Sequence, residues 1–185
     1  MGHHTFDIEK AENLEDEGRY RYLSAEEFRS LVRPASGETL ADLGSGTGFY
    51  TDLIAPDVET LYAVDVQSEM HEYYREKGLP DSVEPVTADV SDLPLSDEEL
   101  DGAASTMTYH EFVGDDALAE LARVIRPGGH VVVVDWSARG DGESGPPVDE
   151  REDLAGAADA LGEAGFRVVR GEERDETFLV VAIRS

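Results

Sequence analysis

Three glycines at alternate positions, Gly44, Gly46 and Gly48, follow the acid Asp42 in the stretch LADLGSGTGFYTDL. An apolar run precedes them and a helix-like pattern starts near Phe49. That order of strand, turn and helix is the one that, in open α/β sheets, places a ligand at the carboxyl end of the strand. Glycine tolerates positive φ and lets a ligand approach the main chain closely. A dinucleotide fingerprint would put its third glycine at position 49, where this chain has Phe49, and a P-loop would need Lys-Ser or Lys-Thr after the glycines. Neither phosphate-binding pattern is present. Asp65 and Asp89 close two further apolar runs, and an ionised carboxylate is an acceptor-only group suited to hydroxyls and amines. His110 follows another run between Tyr109 and Glu111; an imidazole titrates near ~6.5, which makes it the first candidate for a general base.

Composition limits what these residues can serve. The 185 residues suit one domain with a substantial core. Hydrophobic residues, 40% of the chain, are spread in short runs, none near the ~18 needed for a membrane span. No signal peptide is recognisable in MGHHTFDIEK, so a cytoplasmic location is expected. The absence of cysteine excludes disulfides, thiolate metal sites and a cysteine nucleophile. Acidic residues number 42 against 15 basic ones, for a formal net charge of −27. The acids are scattered along the chain, so the charge belongs to a folded surface. Such a surface repels itself at low ionic strength and is screened by molar salt, a bias like that of proteins from salt-accumulating halophiles. It is also a poor match for nucleic-acid phosphates. His3 and His4 share no spacing with a carboxylate cluster, and no metal site is expected.

The elements that must position these residues alternate along the chain. Strands are predicted at 38–43, 60–66, 83–89, 101–107 and 130–136, and a helix at 115–125 with Asp115 or Asp116 as N-cap and RPGG as its stop. Alternating strands and helices imply right-handed crossovers and a parallel sheet covered on both faces. After a helix near 150–164, the segment GFRVVRGEERDETFLVVAIRS has no room for a crossover helix, so its two strands should pair antiparallel at one side of the sheet. Residues 1–37 form a helical cap or lid, with Ser24 and Glu27 as a capping box, ahead of a domain spanning 38–185. The Gly-, Ser- and Pro-rich segment 137–150 reads as a mobile surface loop. The fold class is α/β: a Rossmann-like, doubly wound sheet of seven strands, mostly parallel, with an antiparallel C-terminal strand.

Five ordered segments resemble the class I S-adenosylmethionine-dependent methyltransferases of the small-molecule, quinone and sterol type. They are Asp42-x-Gly44-x-Gly46-x-Gly48, LYAVDVQSEM, VTADVSDLPL, DGAASTMTYHEF and ARVIRPGGHVVVVDW, with LGEAGFRVV completing the series. The resemblance implies S-adenosyl-L-methionine as cofactor, contacted by Asp42, Gly44, Ser45, Gly46 and Gly48. It further implies that Asp65 takes the ribose hydroxyls beside Val66 and Gln67, with Met70 near the adenosine. Asp89 would meet the adenine amino group with Val90 beside the ring, and Thr106 would line the transfer site. Catalytic candidates are His110, Tyr109 and Glu111, with Trp136 as a substrate wall and Tyr20 and Tyr22 on the lid. The sulfonium is already activated, so positioning supplies much of the rate and a base is needed only if the nucleophile must lose a proton. The expected partner is a small-molecule methyl acceptor, the expected assembly a monomer or homodimer. Two other classes remain compatible: a protein that binds the cofactor without catalysis, and a nicotinamide oxidoreductase, which Phe49 disfavours.

Overall fold

The computed structural model describes residues 6–185, so His3 and His4 lie outside the described residues. Two short 3-10 helices, Ile8–Glu15 and Glu17–Arg21, lead into helix α1, Ala25–Val32. The sheet then builds as β1 Thr39–Leu43, β2 Thr60–Asp65, β3 Val83–Thr87, β4 Leu100–Thr106, β5 Ile125–Trp136, β6 Phe166–Glu173 and β7 Thr177–Arg184. Helices α2 Thr51–Ile54, α3 Ser68–Gly78, α4 Tyr109–Phe112, α5 Asp115–Val124 and α6 Leu154–Glu163 lie between the strands. Strand order is β3-β2-β1-β4-β5-β7-β6. The pairs from β3 to β5 are parallel, and β7 runs antiparallel between β5 and β6. The seven strands, their parallel bias and the antiparallel C-terminal pair are as expected.

Both faces of the sheet are covered, which is why its central strands read as continuous apolar runs. Along β5, Val131 and Val133 join the core beneath α5 and α6, while Val132 and Val134 join the core beneath α1 and α2. Helix α1 starts where Ser24 accepts the Glu27 amide at 3.2 Å. The capping box is half formed, because the Glu27 carboxylate pairs with Arg174 at 2.5 Å instead of returning to the cap.

Three boundaries differ from the sequence reading. The helix after the glycines is a single turn, Thr51–Ile54, extended by a 3-10 turn at Ala55–Asp57 where Pro56 sits at its start. No helix fills the crossover at 88–99; Pro94 interrupts it, and the buried Leu93 and Leu95 plug the core there. RPGG ends α5 but is drawn into β5, where the pairing with β4 slips between Leu100 and Gly102.

Candidate active site

The turn after β1 is shaped by what surrounds it. Gly44 has φ +74°, and a Cβ there would stand 2.2 Å from a Thr108 methyl carbon; Gly48 has φ +83° and a Cβ there would meet the Tyr74 ring at 2.2 Å. Any other residue at either position would be both strained and overlapped. Four of the turn's amides are engaged within the protein. Those of Gly44 and Ser45 donate to the Val64 carbonyl at 2.8 and 2.9 Å, and that of Gly48 donates to the Ser45 carbonyl at 2.9 Å. The Gly46 amide donates to Asp65 Oδ2 at 2.9 Å, while Asp65 Oδ1 accepts from the Gln67 amide at 2.9 Å. Burial pushes the Asp65 carboxyl up from its ordinary value, against these hydrogen bonds.

A cavity of about 590 Å³ opens at the carboxyl ends of β1, β2, β4 and β5. That size is within the range of small-molecule sites, ~300–1,000 Å³. Gly44, Ser45, Gly46, Asp65, Val66, Gln67, Thr106, His110 and Glu111 line it together. An annex of about 40 Å³, lined in part by Asp89, Val90 and Phe112, shares Gly44, Asp65, Val66, Thr108 and Glu111 with the main cavity. Asp89 Oδ1 accepts from the amide and hydroxyl of Ser91 at 2.8 and 2.7 Å.

Three residues predicted for the site are placed elsewhere. Asp42 is buried away from the cavity lining, where Oδ2 accepts from the Thr51 hydroxyl at 2.6 Å and burial raises its pKa to about 6. Gly48 serves the packing of Tyr74. Tyr109 turns into the core, fully buried with its ring 5.5 Å from Phe112, and burial raises its pKa. The short helical turn that presents His110 and Glu111 to the cavity turns Tyr109 to its core side.

His110 belongs to an acid–base cluster that the sequence reading did not complete. Its amide donates to Asp135 Oδ2 at 2.6 Å, and its Nδ1 lies 2.9 and 3.0 Å from the two oxygens of that carboxylate. An ionised carboxylate accepts only, so Nδ1 carries the proton and the neutral ring has its lone pair on Nε2. Asp135 is wholly buried and also accepts from the Trp136 amide at 2.8 Å. Burial disfavours the imidazolium, but the hydrogen bond and charge of Asp135, with Glu111, outweigh it and hold His110 above its ordinary pKa. Glu111 Oε1 is 3.9 Å from His110 Nε2, and burial lifts its pKa to about 7. The signal for Asp135 was a lone acid ending a valine run on a buried strand.

Other lining residues that the sequence reading passed over come from outside the sheet. Leu14 and Arg19 reach in from the N-terminal turns, and Gly145, Pro146, Pro147 and Glu150 form a wall beside Trp136. The segment 137–150 lies at the surface, with most of 141–150 exposed, and also gives the cavity this wall. The Arg151 side chain is fully buried and donates to the carbonyls of Pro146 (2.9 Å), Ser144 (2.5 Å) and Ser137 (3.3 Å), and to Glu176 (3.3 Å). Tyr22 stacks edge-on to Trp136 at 4.7 Å, and Tyr20 lies 4.9 Å from Phe49. Among the described residues no group of three or more His, Asp or Glu could hold a metal ion, and no helix is long and apolar enough to cross a membrane.

The family described as a methyltransferase domain matches residues 41–133, half of the chain, and spans the glycine turn, Asp65, Asp89 and His110. This chain belongs to the methyltransferase-domain family. A demethylmenaquinone methyltransferase of Clavibacter sepedonicus is 34% identical over 108 residues, covering 57% of this chain and 44% of the relative. An uncharacterized methyltransferase of Geobacillus is 25% identical over 134 residues, covering 71% of this chain and 62% of its own length. The chain thus spans about half the length of these curated relatives. The crystal structure of a SAM-dependent methyltransferase from Aquifex aeolicus superposes over 98% of this chain and all of its own, with a TM-score of 0.87 and 29% identity. The sheet order and crossovers are those of the Rossmann-like methyltransferase-domain fold.

Proposed function

We propose that this methyltransferase-domain protein transfers the methyl group of S-adenosylmethionine to a small-molecule acceptor. The observation that carries the reading is one cavity bordered both by a glycine turn tied to Asp65 and by the His110–Asp135 pair. The lining fits the cofactor's chemistry. Gly44 and Gly46 border the cavity, Ser45 Oγ is buried without a hydrogen-bond partner, and the Asp65 carboxylate suits a diol. In this reading Asp65 holds the ribose hydroxyls, Val66, Gln67 and Val90 flank the adenine, Asp89 meets its amino group, and Thr106 borders the transfer point. Bound there, the cofactor supplies a methyl group already activated on a sulfonium.

The chain's own work is then to place the acceptor and remove its proton. His110 Nε2, deprotonated and turned toward the cavity side by the Asp135 contact, accepts a proton from an acceptor hydroxyl or other acidic group. Asp135 stabilises the imidazolium that forms. Glu111 lies next to the same nitrogen and is poised near neutrality to relay the proton onward. Trp136 with Pro146 and Pro147 gives the acceptor a flat apolar wall. Such a wall and base suit a reduced quinone or other phenol-like acceptor, and the action named for the Clavibacter relative supports that class. The net charge of −27 disfavours a nucleic-acid acceptor. The helical turns ahead of β1 act as a cap over the cavity.

Calorimetric titration with S-adenosylmethionine, S-adenosylhomocysteine and NADH tests the reading. Micromolar binding of both adenosyl ligands, weakened at least ~10-fold in Asp65→Ala, is expected, since a lost hydrogen bond to a charged group costs ~1.5–3 kcal/mol. Binding of NADH alone, or of none of the three by folded protein, would sink it. Binding without turnover on any phenol-like acceptor would leave a non-catalytic cofactor-binding protein.

A further inference from the structure

The cofactor read into this cavity ends in an amino acid, and its carboxylate needs a countercharge. The usual provider after a β1 turn is a row of free main-chain amides. Here the amides of Gly44, Ser45, Gly46 and Gly48 are committed to Val64, Asp65 and the turn's own carbonyl, which leaves the single Thr47 amide in place of a row. Helix α2 has four residues and adds no N-terminal anion site. Among the described residues lining the cavity, Arg19 is the one Arg or Lys.

Arg19 is also held beside the glycine turn at the cavity's edge. Its guanidinium stacks 4.9 Å from the Phe49 ring and 5.0 Å from the Tyr50 ring, the two residues that leave the glycine turn. Nη1 donates to the Leu14 carbonyl at 2.6 Å. Leu14 in turn packs against Gly46, with its Cδ1 3.2 Å from where a Cβ would stand, and the neighbouring Glu15 accepts from Thr47 at 2.5 Å. No carboxylate among the described residues pairs with Arg19 within ion-pair distance. The planar cation is therefore positioned by two rings and one carbonyl, with donors left over. A planar fork of donors matches a carboxylate in a two-point contact.

We propose that Arg19 binds the carboxylate of the cofactor's amino-acid end, making the N-terminal turns part of the cofactor site. The inference rests on the S-adenosylmethionine reading above. A ligand that has its diol at Asp65 and runs along the Gly44–Thr47 turn presents its far end to this guanidinium. Cofactor binding and docking of residues 8–21 are then coupled, because the same side chain serves both.

The test compares two ligands that differ at that end: S-adenosylhomocysteine, which has the amino acid, and 5′-methylthioadenosine, which lacks it. Both are titrated into wild type, Arg19→Met and Arg19→Lys, each checked for an unfolding midpoint near that of wild type. Wild type should prefer S-adenosylhomocysteine; Arg19→Met should lose roughly 10- to 100-fold for that ligand and no more than about 2-fold for 5′-methylthioadenosine, with Arg19→Lys between. Equal losses for both ligands would show that Arg19 only shapes the cap, and no loss for either would show that it is not a ligand. Either result overturns the proposal. Wild type that binds neither ligand refutes the cofactor reading itself, a failure visible without any variant.

Discussion

His110 carries two opposed demands. Its ring is largely buried, which penalises the imidazolium, and its partner is a wholly buried carboxylate that requires a cation or a donor. The partner prevails, so the folded-state pKa lies above the ordinary value. Linkage then fixes the sign. A His raised on folding contributes stability that is fully present below its unfolded pKa, ~6.5, and is lost as pH rises through the folded value. Replacing Asp135 with Asn removes the charge while keeping an acceptor. The His110 ring, followed by NMR, should then titrate at lower pH than in wild type, and the stability lost by Asp135→Asn should be largest near pH 5–6 and smaller above pH 8, where the wild-type ring is neutral. An unchanged His110 titration would mean that Asp135 positions nothing. Glu111, raised to about 7 by burial, should move with His110, because each faces the other.

At the scale of elements, the cavity's outer wall depends on one side chain. The segment after β5 has the composition of a surface loop, yet Arg151 draws it onto Trp136 through buried hydrogen bonds to three carbonyls and Glu176. Gly145 makes this possible, since a Cβ there would stand 2.5 Å from the Trp136 ring. Arg151→Met keeps the length of the stem and deletes the donors, leaving several carbonyls unsatisfied at ~1–3 kcal/mol each. Hydrogen exchange across 138–150 should accelerate by at least ~10-fold, while amides of β1 and β4 change little beyond any global loss of stability. Uniform acceleration over the whole sheet would mean that Arg151 supports the fold in general and not this wall.

For the whole molecule, electrostatics sets the conditions of folding. The 15 basic residues cannot neutralise 42 acidic ones, and many of the arginines already sit in ion pairs such as Arg29–Asp57, Arg126–Asp101 and Arg174–Glu27. The remaining carboxylates repel one another across the surface. Raising KCl from ~0.1 to ~2 M shortens the Debye length from ~10 Å to under ~3 Å, so the thermal midpoint should rise by about 5 °C or more. A flat or falling midpoint would make the composition an ordinary acidic bias with no bearing on salt.

Much of this was legible in the chain. Apolar runs alternating with helical patterns specify a doubly wound sheet, because strands buried on both faces have no polar side to show, and a C-terminal segment too short for a crossover must pair antiparallel. The alternate glycines and the acids that end β2 and β3 follow from local rules, and the structure brings Asp65, Asp89 and His110 to one rim. Direction of side chains and contacts between distant segments followed no local rule. Asp135 lies 25 residues from His110, Arg19 joins the glycine turn from a separate cap, and Arg151 converts a loop-like composition into a wall. Asp42 and Tyr109 had the right chemistry one step from the cavity but were turned into the core by the pleat of a strand and the pitch of a helix. Pattern along the chain is set by what each segment must bury, whereas a site is set by which buried segments meet.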